Sequence, residues 1–361
     1  MNSALFRYIF KRILLMIPTL LGVITLTFAV IQFVPGGPVE QMMLEIKGRG
    51  EASVGAGESS GGGASATYRG RQGIDEERLK EIKELYGFDK PPLERYWHML
   101  KRFAMFDLGQ SYYQHKSAWE LVLSKMPVSI SLGLWTFLIT YLISIPLGIK
   151  KAVQAGTRFD TATSILILIG YAIPGFVLGV LLLVLFGGGS FFQLFPLRGL
   201  TSDNWAELSL IGKVMDYFWH LVLPITASVL GNFAVITILT KNSFLEEIRK
   251  QYVITARAKG LSEDKVLWKH VFRNALIPLV TGFPSAFVGA FFTGSLLIET
   301  LFSLDGLGLL SYEAVMKRDY PVVLGTLYLF TLIGLVTKLI SDIAYVLVDP
   351  RIQFDKQSGG H

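Results

Sequence analysis

Residues 126–149 read MPVSISLGLWTFLITYLISIPLGI, 24 positions without an Asp, Glu, Lys or Arg, closed at either end by Lys125 and Lys150. An α-helix rises about 1.5 Å per residue, so a run of this length spans a hydrocarbon core of about 30 Å. Five further runs share the property: Ile13 to Val34, Thr161 to Leu197, Leu221 to Thr240, Asn274 to Ile298 and Tyr320 to Thr337, none shorter than 18 residues. The run from Thr161 exceeds one span, and Gly187-Gly188-Gly189 ends its helix near Phe186. A soluble fold of 361 residues has no need of six such helices. With 51% hydrophobic and 17% charged residues and a mean hydropathy of +0.47, the chain reads as an all-α integral membrane protein with six transmembrane helices. Arg7, Lys11 and Arg12 precede the first run as in a signal peptide. Its 22 residues exceed a secretory core, and no small-residue cleavage site follows Gln32-Phe33-Val34-Pro35, so it is expected to stay as an anchor.

Basic residues set the expected orientation. With the N-terminus inside, the inner segments carry 3 before the first span, 3 in Lys150 to Asp160, 8 in Lys241 to Arg273 and 3 from Lys338 onward. The two short outer loops hold only Arg198 and Lys213, and Lys317 and Arg318. The loop from Pro35 to Lys125 has 13 basic and 13 acidic residues and is too long to count. Both termini are therefore expected in the cytoplasm, at 1–12 and 342–361. Spans are expected at 13–34, 126–149, 161–186, 221–240, 274–298 and 320–341. Outer loops fall at 35–125, 187–219 and 299–319, and inner loops at 150–160 and 241–273. All form one transmembrane domain.

Within the first outer loop, 48–73 is rich in Gly, Ser and Ala and reads as a flexible insertion. Asp75 can cap a helix bearing Leu79, Ile82, Leu85 and Tyr86 that stops at Gly87. Pro91-Pro92 opens another with Leu93, Tyr96, Trp97, Leu100 and Phe103, either lying on the membrane surface or packed as a cap on the outer mouth. Ser117-Ala118-Trp119-Glu120 has the spacing of a capping box, expected to start a short helix that leads to Met126-Pro127 and the second span.

Several chemistries are missing from the sequence. There is no His-Glu-x-x-His, no Gly-x-Ser-x-Gly on a span, and no Gly-x-x-x-x-Gly-Lys-Ser/Thr cradle for nucleotide phosphates, so the chain is not expected to be an enzyme or to hold ATP or a metal itself. Cysteine is absent, which excludes disulfides and thiolate metal sites. The spans have no ionisable residue in their central parts, which argues against an ion-coupled carrier working alone. Lys338 and Asp342 come nearest, and their spacing suggests an i,i+4 pair at the interface. The charge of +6 is the cytoplasmic Lys/Arg excess of a membrane protein and calls for no nucleic acid.

The most informative loop is 241–273. Tyr252-Val253-Ile254-Thr255-Ala256-Arg257-Ala258-Lys259-Gly260 reads as a helix ending at a glycine, the residue that takes a left-handed turn most cheaply. Ser262 then caps a second helix whose acidic first turn, Glu263-Asp264, complements its dipole, and which runs through Leu267 and Val271 to Ala275. With basic flanks and few apolar residues, this helix-turn-helix is either a docking element that needs a partner to cover it, or a linker held to lipid headgroups.

This loop resembles the EAA-type coupling loop of ABC importer permeases, in the variant of the dipeptide and oligopeptide family, through ITARAKGLS (254–262) and WKHVFRNALIP (268–278). By that resemblance Thr255, Ala256 and Gly260 fall on the motif's two small residues and its glycine, and Thr255 to Leu261, including Arg257, Ala258 and Lys259, would couple to the ATPase. Ile254 stands where the general motif has a glutamate. Similarity to B-type peptide permeases extends over nearly the whole chain, through RILLMIPTLLGVITLTF (12–28), VPGGP (34–38), FDLGQS (106–111), ETLFSLDGLG (299–308), RDYPVVLGT (318–326) and SDIAYVLVDPRI (341–352). YRGRQGIDEE (68–77), FPLRGL (195–200) and LTKNSFLEEIRKQY (239–252) resemble a narrower, Yej-type branch that imports oligopeptides and the peptide-nucleotide antibiotic microcin C.

The resemblance implies the type I importer permease fold in the bacterial inner membrane, a second homologous permease, ABC ATPase subunits holding ATP and Mg, and a periplasmic peptide-binding protein. Candidates for the substrate pathway are Tyr171, Asn232, Thr293 and Ser295, each alternatively a polar residue that satisfies a neighbouring helix. Glu299 can contact the binding protein or a peptide amine, or cap local backbone. The rival readings are a stand-alone ion-coupled carrier or channel, and an intramembrane hydrolase.

Overall fold

The computed structural model describes residues 3–33, 89–114, 116–187, 191–292 and 296–348. The insertion at 48–73 and the helix expected after Asp75 lie outside the described residues, as do Thr293 and Ser295.

In membrane the backbone must satisfy its own hydrogen bonds, and the described residues are helical with no named strand. The helices are α1 (Ser3–Phe33), α2 (Pro92–Ala104), α3 (Ala118–Val153), α4 (Arg158–Ala172), α5 (Gly175–Phe186), α6 (Leu210–Ile248) and α7 (Gln251–Ala258). They continue as α8 (Glu263–Ala275), α9 (Ile277–Phe292), α10 (Leu296–Leu301), α11 (Leu307–Met316) and α12 (Tyr320–Val348). Parts of α1, α3, α6 and α12 are long and apolar enough to span unbroken. The other two spans are bent pairs, α4 with α5 at 90° and α8 with α9 at 49°.

The break in the third span has a local cause. Ile173 precedes Pro174, whose ring disfavours a helical conformation there, and Ile173 is extended at φ −87° and ψ 117°. A Cβ on Gly175 would sit 2.8 Å from the Ala227 carbonyl oxygen, and one on Gly179 would sit 2.7 Å from Leu301 Cδ2. Small residues thus let α5 press against α6 and α10, as helix association in lipid requires, since apolar burial alone favours neither helix nor lipid neighbour. On α3, a Cβ at Gly148 would lie 2.6 Å from Thr240 Cβ on α6.

The chain forms two compact units. One comprises Met1–Met16, Ser124–Leu310 and Leu332–His361, and the other Ile17–Leu123 and Ser311–Thr331. The first contains an apolar cluster around Leu132, Leu221, Leu223, Ile225, Ile298, Phe302 and Leu304. A separate cluster joins the ends of α3 and α6 to α7 and α8. In this unit Asp342 is bound by Arg12 at 3.0 Å and by the Tyr8 hydroxyl at 3.0 Å, which corrects the expected pairing with Lys338. An arginine arriving from α1 can bring a second donor with it, and a lysine one turn away on the same helix cannot.

The second unit joins two stretches far apart in sequence. Asp319 accepts hydrogen bonds from the Ser111 hydroxyl and, at 3.1 Å, from the Tyr112 amide. Gly109 (φ +87°) turns beneath Pro321, whose Cβ is 3.2 Å from where a side chain would begin. The capping box is complete: Glu120 N–H donates to Ser117 Oγ and Ser117 N–H to Glu120 Oε2, both at 3.1 Å. It opens a continuous 36-residue α3 rather than a short helix before a span.

Candidate functional site

α7 ends as its sequence requires. Gly260 takes φ +78°, its N–H donates to the Arg257 carbonyl at 2.9 Å, and Leu261 N–H reaches back to the Ala256 carbonyl at 3.4 Å. These are the two crossed bonds of a Schellman motif. Arg257 spans the turn with a forked bond to Glu263 at 2.8 and 3.0 Å, which holds the Glu263 carboxyl below its ordinary range. Ser262 precedes α8 but its side chain makes no capping bond, which corrects the expected cap; only its carbonyl takes part, accepting from Val266 N–H at 2.9 Å.

The helix is two-faced. Val253 and Ala256 are buried with Phe244, Val266, Val271 and Ala275, and Leu261 packs against the same cluster. The loop therefore has a small core of its own, which corrects the expectation that it carries too little apolar surface to be covered without a partner. Thr255, Arg257, Ala258, Lys259 and Gly260 are exposed, as is Ile254, at 50% of its surface. Of the seven residues matched to the coupling motif, five face outward and Ala256 and Leu261 face inward. The elbow from α6 is fixed by Tyr252, whose hydroxyl donates to Glu247 at 2.6 Å and accepts from the Asn274 amide at 3.2 Å.

Beside this elbow lies a charged clamp that the sequence reading passed over. Asp160, at the start of α4, accepts from Lys241 at 2.7 and 2.8 Å and pairs with Lys151 at 3.0 Å. Lys151, only 1% exposed, also donates to the Asp160 carbonyl and to Thr163 and Ser164 hydroxyls, all within 2.8 Å. Burial opposes ionisation of Asp160, but the two lysines and the Gly156 amide outweigh it and hold the carboxyl well below the usual carboxylate range. Three helix ends are thereby tied together. In the sequence these lysines looked like ordinary members of the cytoplasmic basic excess. The available signal was a lone acid in a short basic loop.

Above the clamp in the same unit is a cavity of about 630 Å³. Helices α3, α5, α6, α9 and α10 line it, with Thr136, Tyr141, Phe176, Ser228 and Asn232 among the contributors. Asn232 is thus on the cavity wall, whereas Tyr171 is exposed on α4 and does not line it. Glu299 borders the cavity but is fully buried. It accepts from the Ser129 hydroxyl at 3.1 Å and the Leu309 amide at 2.8 Å, while Leu307 N–H donates to Ser129 at 2.8 Å. A Cβ at Gly306 would lie 2.5 Å from the Glu299 carboxyl carbon. Of the roles open from sequence, the geometry gives Glu299 that of capping backbone, at the start of α11.

Residues 144–354 match the family described as binding-protein-dependent transport system inner membrane component. Over 97% of this chain and 99% of the other, the sequence is 55% identical to the peptidoglycan transport system permease protein YejB of Agrobacterium fabrum. It is 54% identical to the inner membrane ABC transporter permease protein YejB of Escherichia coli O157:H7, over 96% of this chain. It is also 33% identical to the di/tripeptide transport system permease protein DppB of Pseudomonas aeruginosa, over 97% of this chain. All three relatives are named as permease proteins of transport systems, the second as an inner membrane ABC transporter permease. With four unbroken apolar helices, two bent apolar pairs and the α7–α8 helix-turn-helix, the chain belongs to the binding-protein-dependent transport system inner membrane components, as a multi-pass ABC importer permease of the peptide-transport family.

Proposed function

We propose that this chain is one of two related permease halves that carry peptides from periplasm to cytoplasm by alternating access. ABC ATPase subunits, holding ATP and Mg, dock on the outer face of α7, and a periplasmic peptide-binding protein delivers cargo at the opposite side. Both termini lie in the cytoplasm. The observation that carries this reading is the two-faced α7, buried along Val253 and Ala256 and open along Ile254, Thr255 and Ala258. A helix anchored on its own core and exposed on the other side can move as a lever without unfolding.

Relatives named for dipeptide, di/tripeptide and peptidoglycan transport support peptides and peptidoglycan material as cargo. The Yej-type likeness extends this to peptide-nucleotide antibiotics of the microcin C type. Hydroxyl, amide and aromatic groups on the cavity wall suit the peptide backbone, and the buried Glu299 offers it no open charge. Selection by side chain then rests with the binding protein.

The test is Ile254→Asp with Ala258→Arg, on exposed positions that the chain's own core does not use. Peptide-stimulated ATP hydrolysis and uptake by the assembled transporter are expected to fall about tenfold or more, the size of an interface hot spot. Insertion and melting of the permease should stay unchanged. Wild-type uptake in this variant would remove α7 from the coupling path.

A further inference from the structure

The second unit contains a cavity of about 390 Å³ that the transport reading leaves without a role. It is formed by α2, the last turns of α1 and the first turn of α12. The depth of α2 follows from its bonds to α1. Tyr96 shares a hydrogen bond with Thr25 at 2.6 Å and packs at a tilt against Phe28 with ring centroids 5.3 Å apart, and Arg95 donates to Gln32 at 2.8 Å. All three α1 residues lie in the second half of the charge-free run from Ile13 to Val34, so α2 lies beside the end of that run, where a span meets the headgroups.

Two chemistries meet on α2 and the turn that follows it. Leu93, Trp97, Met105 and Phe106 are each more than half exposed, a surface too apolar for water beside a span. The cavity behind them is lined by Lys90, Arg95, His98 and Arg102, with Asp107 the single acid, and by Phe28 and Ile31. Arg102 is committed to Asp107 by a forked bond at 2.7 and 3.0 Å and Lys90 pairs with Glu94 at 3.3 Å, and Arg95, bonded to the neutral Gln32, leaves the cavity with a net positive charge. Cations beside an apolar wall, at the depth of lipid headgroups, match a phosphate still attached to its acyl chains better than a soluble anion.

We propose that this cavity binds the phosphate of an anionic phospholipid from the leaflet at the Phe33 end of α1, with α2 embedded in that leaflet by Leu93 and Trp97. The lipid would fix the outer ends of α1 and α12 to each other. The inference rests on the membrane fold alone and is independent of the transported cargo.

The experiment uses the whole transporter in nanodiscs of phosphatidylethanolamine, into which either phosphatidylglycerol or phosphatidylethanolamine brominated on its acyl chains is mixed. Emission of wild type minus that of Trp97→Phe isolates Trp97. Brominated phosphatidylglycerol is expected to quench this component at about fivefold lower mole fraction, the effect of one basic group at an anionic surface. Lys90→Glu, on an exposed residue, should abolish that preference and leave quenching by the zwitterionic lipid intact. Absence of quenching by both lipids places α2 outside the bilayer and overturns the proposal. So does equal quenching by both in the wild type, or a preference that millimolar inorganic phosphate removes, which would assign the cavity to a soluble anion.

Discussion

Asp160 and Glu299 show how a single carboxylate is used where water is scarce. Asp160 is bound by two lysines and Glu299 by the Ser129 hydroxyl and the Leu309 amide, and each organises backbone rather than chemistry. Asp160→Asn leaves Lys151 buried without its counter-ion, and the loss should be about 3 kcal/mol, read as a lower melting temperature of the purified permease. The pH dependence has a defined sign. A carboxyl whose folded pKa is lowered contributes fully above its unfolded value near 4, and the contribution is lost as pH falls towards the folded value. The difference between wild type and Asp160→Asn is therefore expected to be constant from pH 8 to about 5 and to narrow below about 4. Glu299→Gln must turn an amide donor towards either Ser129 or the Leu309 N–H, at a cost of about 1–3 kcal/mol. Melting curves that match wild type would show that the carboxylate is not needed there. The clamp at Asp160 was not legible from sequence, and capping by Glu299 was one of its open alternatives. The ends of α3, α4 and α6 bring Asp160 its lysines, and Glu299 stands ten residues from the amide it caps.

At the scale of elements, much more was readable, because helix ends are governed by neighbours in sequence. The Ser117–Glu120 box and the Gly260 terminus follow from local spacing alone. The break at Ile173-Pro174 had its signal in the proline, but a 90° bend needs the close approach of Gly175 to Ala227, which sequence does not reveal. Likewise Arg12 displaced Lys338 as partner of Asp342 because α1 and α12 meet in space. Gly260 gives this scale its prediction. No atom lies within 4 Å of a Cβ built there, so Gly260→Val meets no clash and acts only through the left-handed backbone, at about 1–3 kcal/mol. The turn should open and uncouple ATP hydrolysis from peptide uptake, while the permease inserts and folds. Gly156, also left-handed at φ +81° and equally free of neighbours, provides the control: Gly156→Val should lower stability by a similar amount without uncoupling.

The whole molecule offers its own probe, since the natural chain has no cysteine and single cysteines can be introduced without a background. Orientation and pathway then become questions of access by a membrane-impermeant maleimide. Lys259→Cys, exposed just past the end of α7, should react in inside-out vesicles and stay protected in intact spheroplasts, whereas Lys213→Cys in the first turn of α6 should do the reverse. The opposite pattern would invert the topology and with it the direction of transport. Asn232→Cys and Ser228→Cys face the 630 Å³ cavity, and their labelling in the assembled transporter should rise or fall as ATP and loaded binding protein shift the spans. Tyr171→Cys points away from that cavity and should be indifferent to both. Alternating access requires that contrast: a wall residue whose exposure changes sides with nucleotide, and a lipid-side residue on the same unit that does not respond. Equal response at both positions would mean that the unit loosens as a whole, and the cavity would lose its claim to be the pathway.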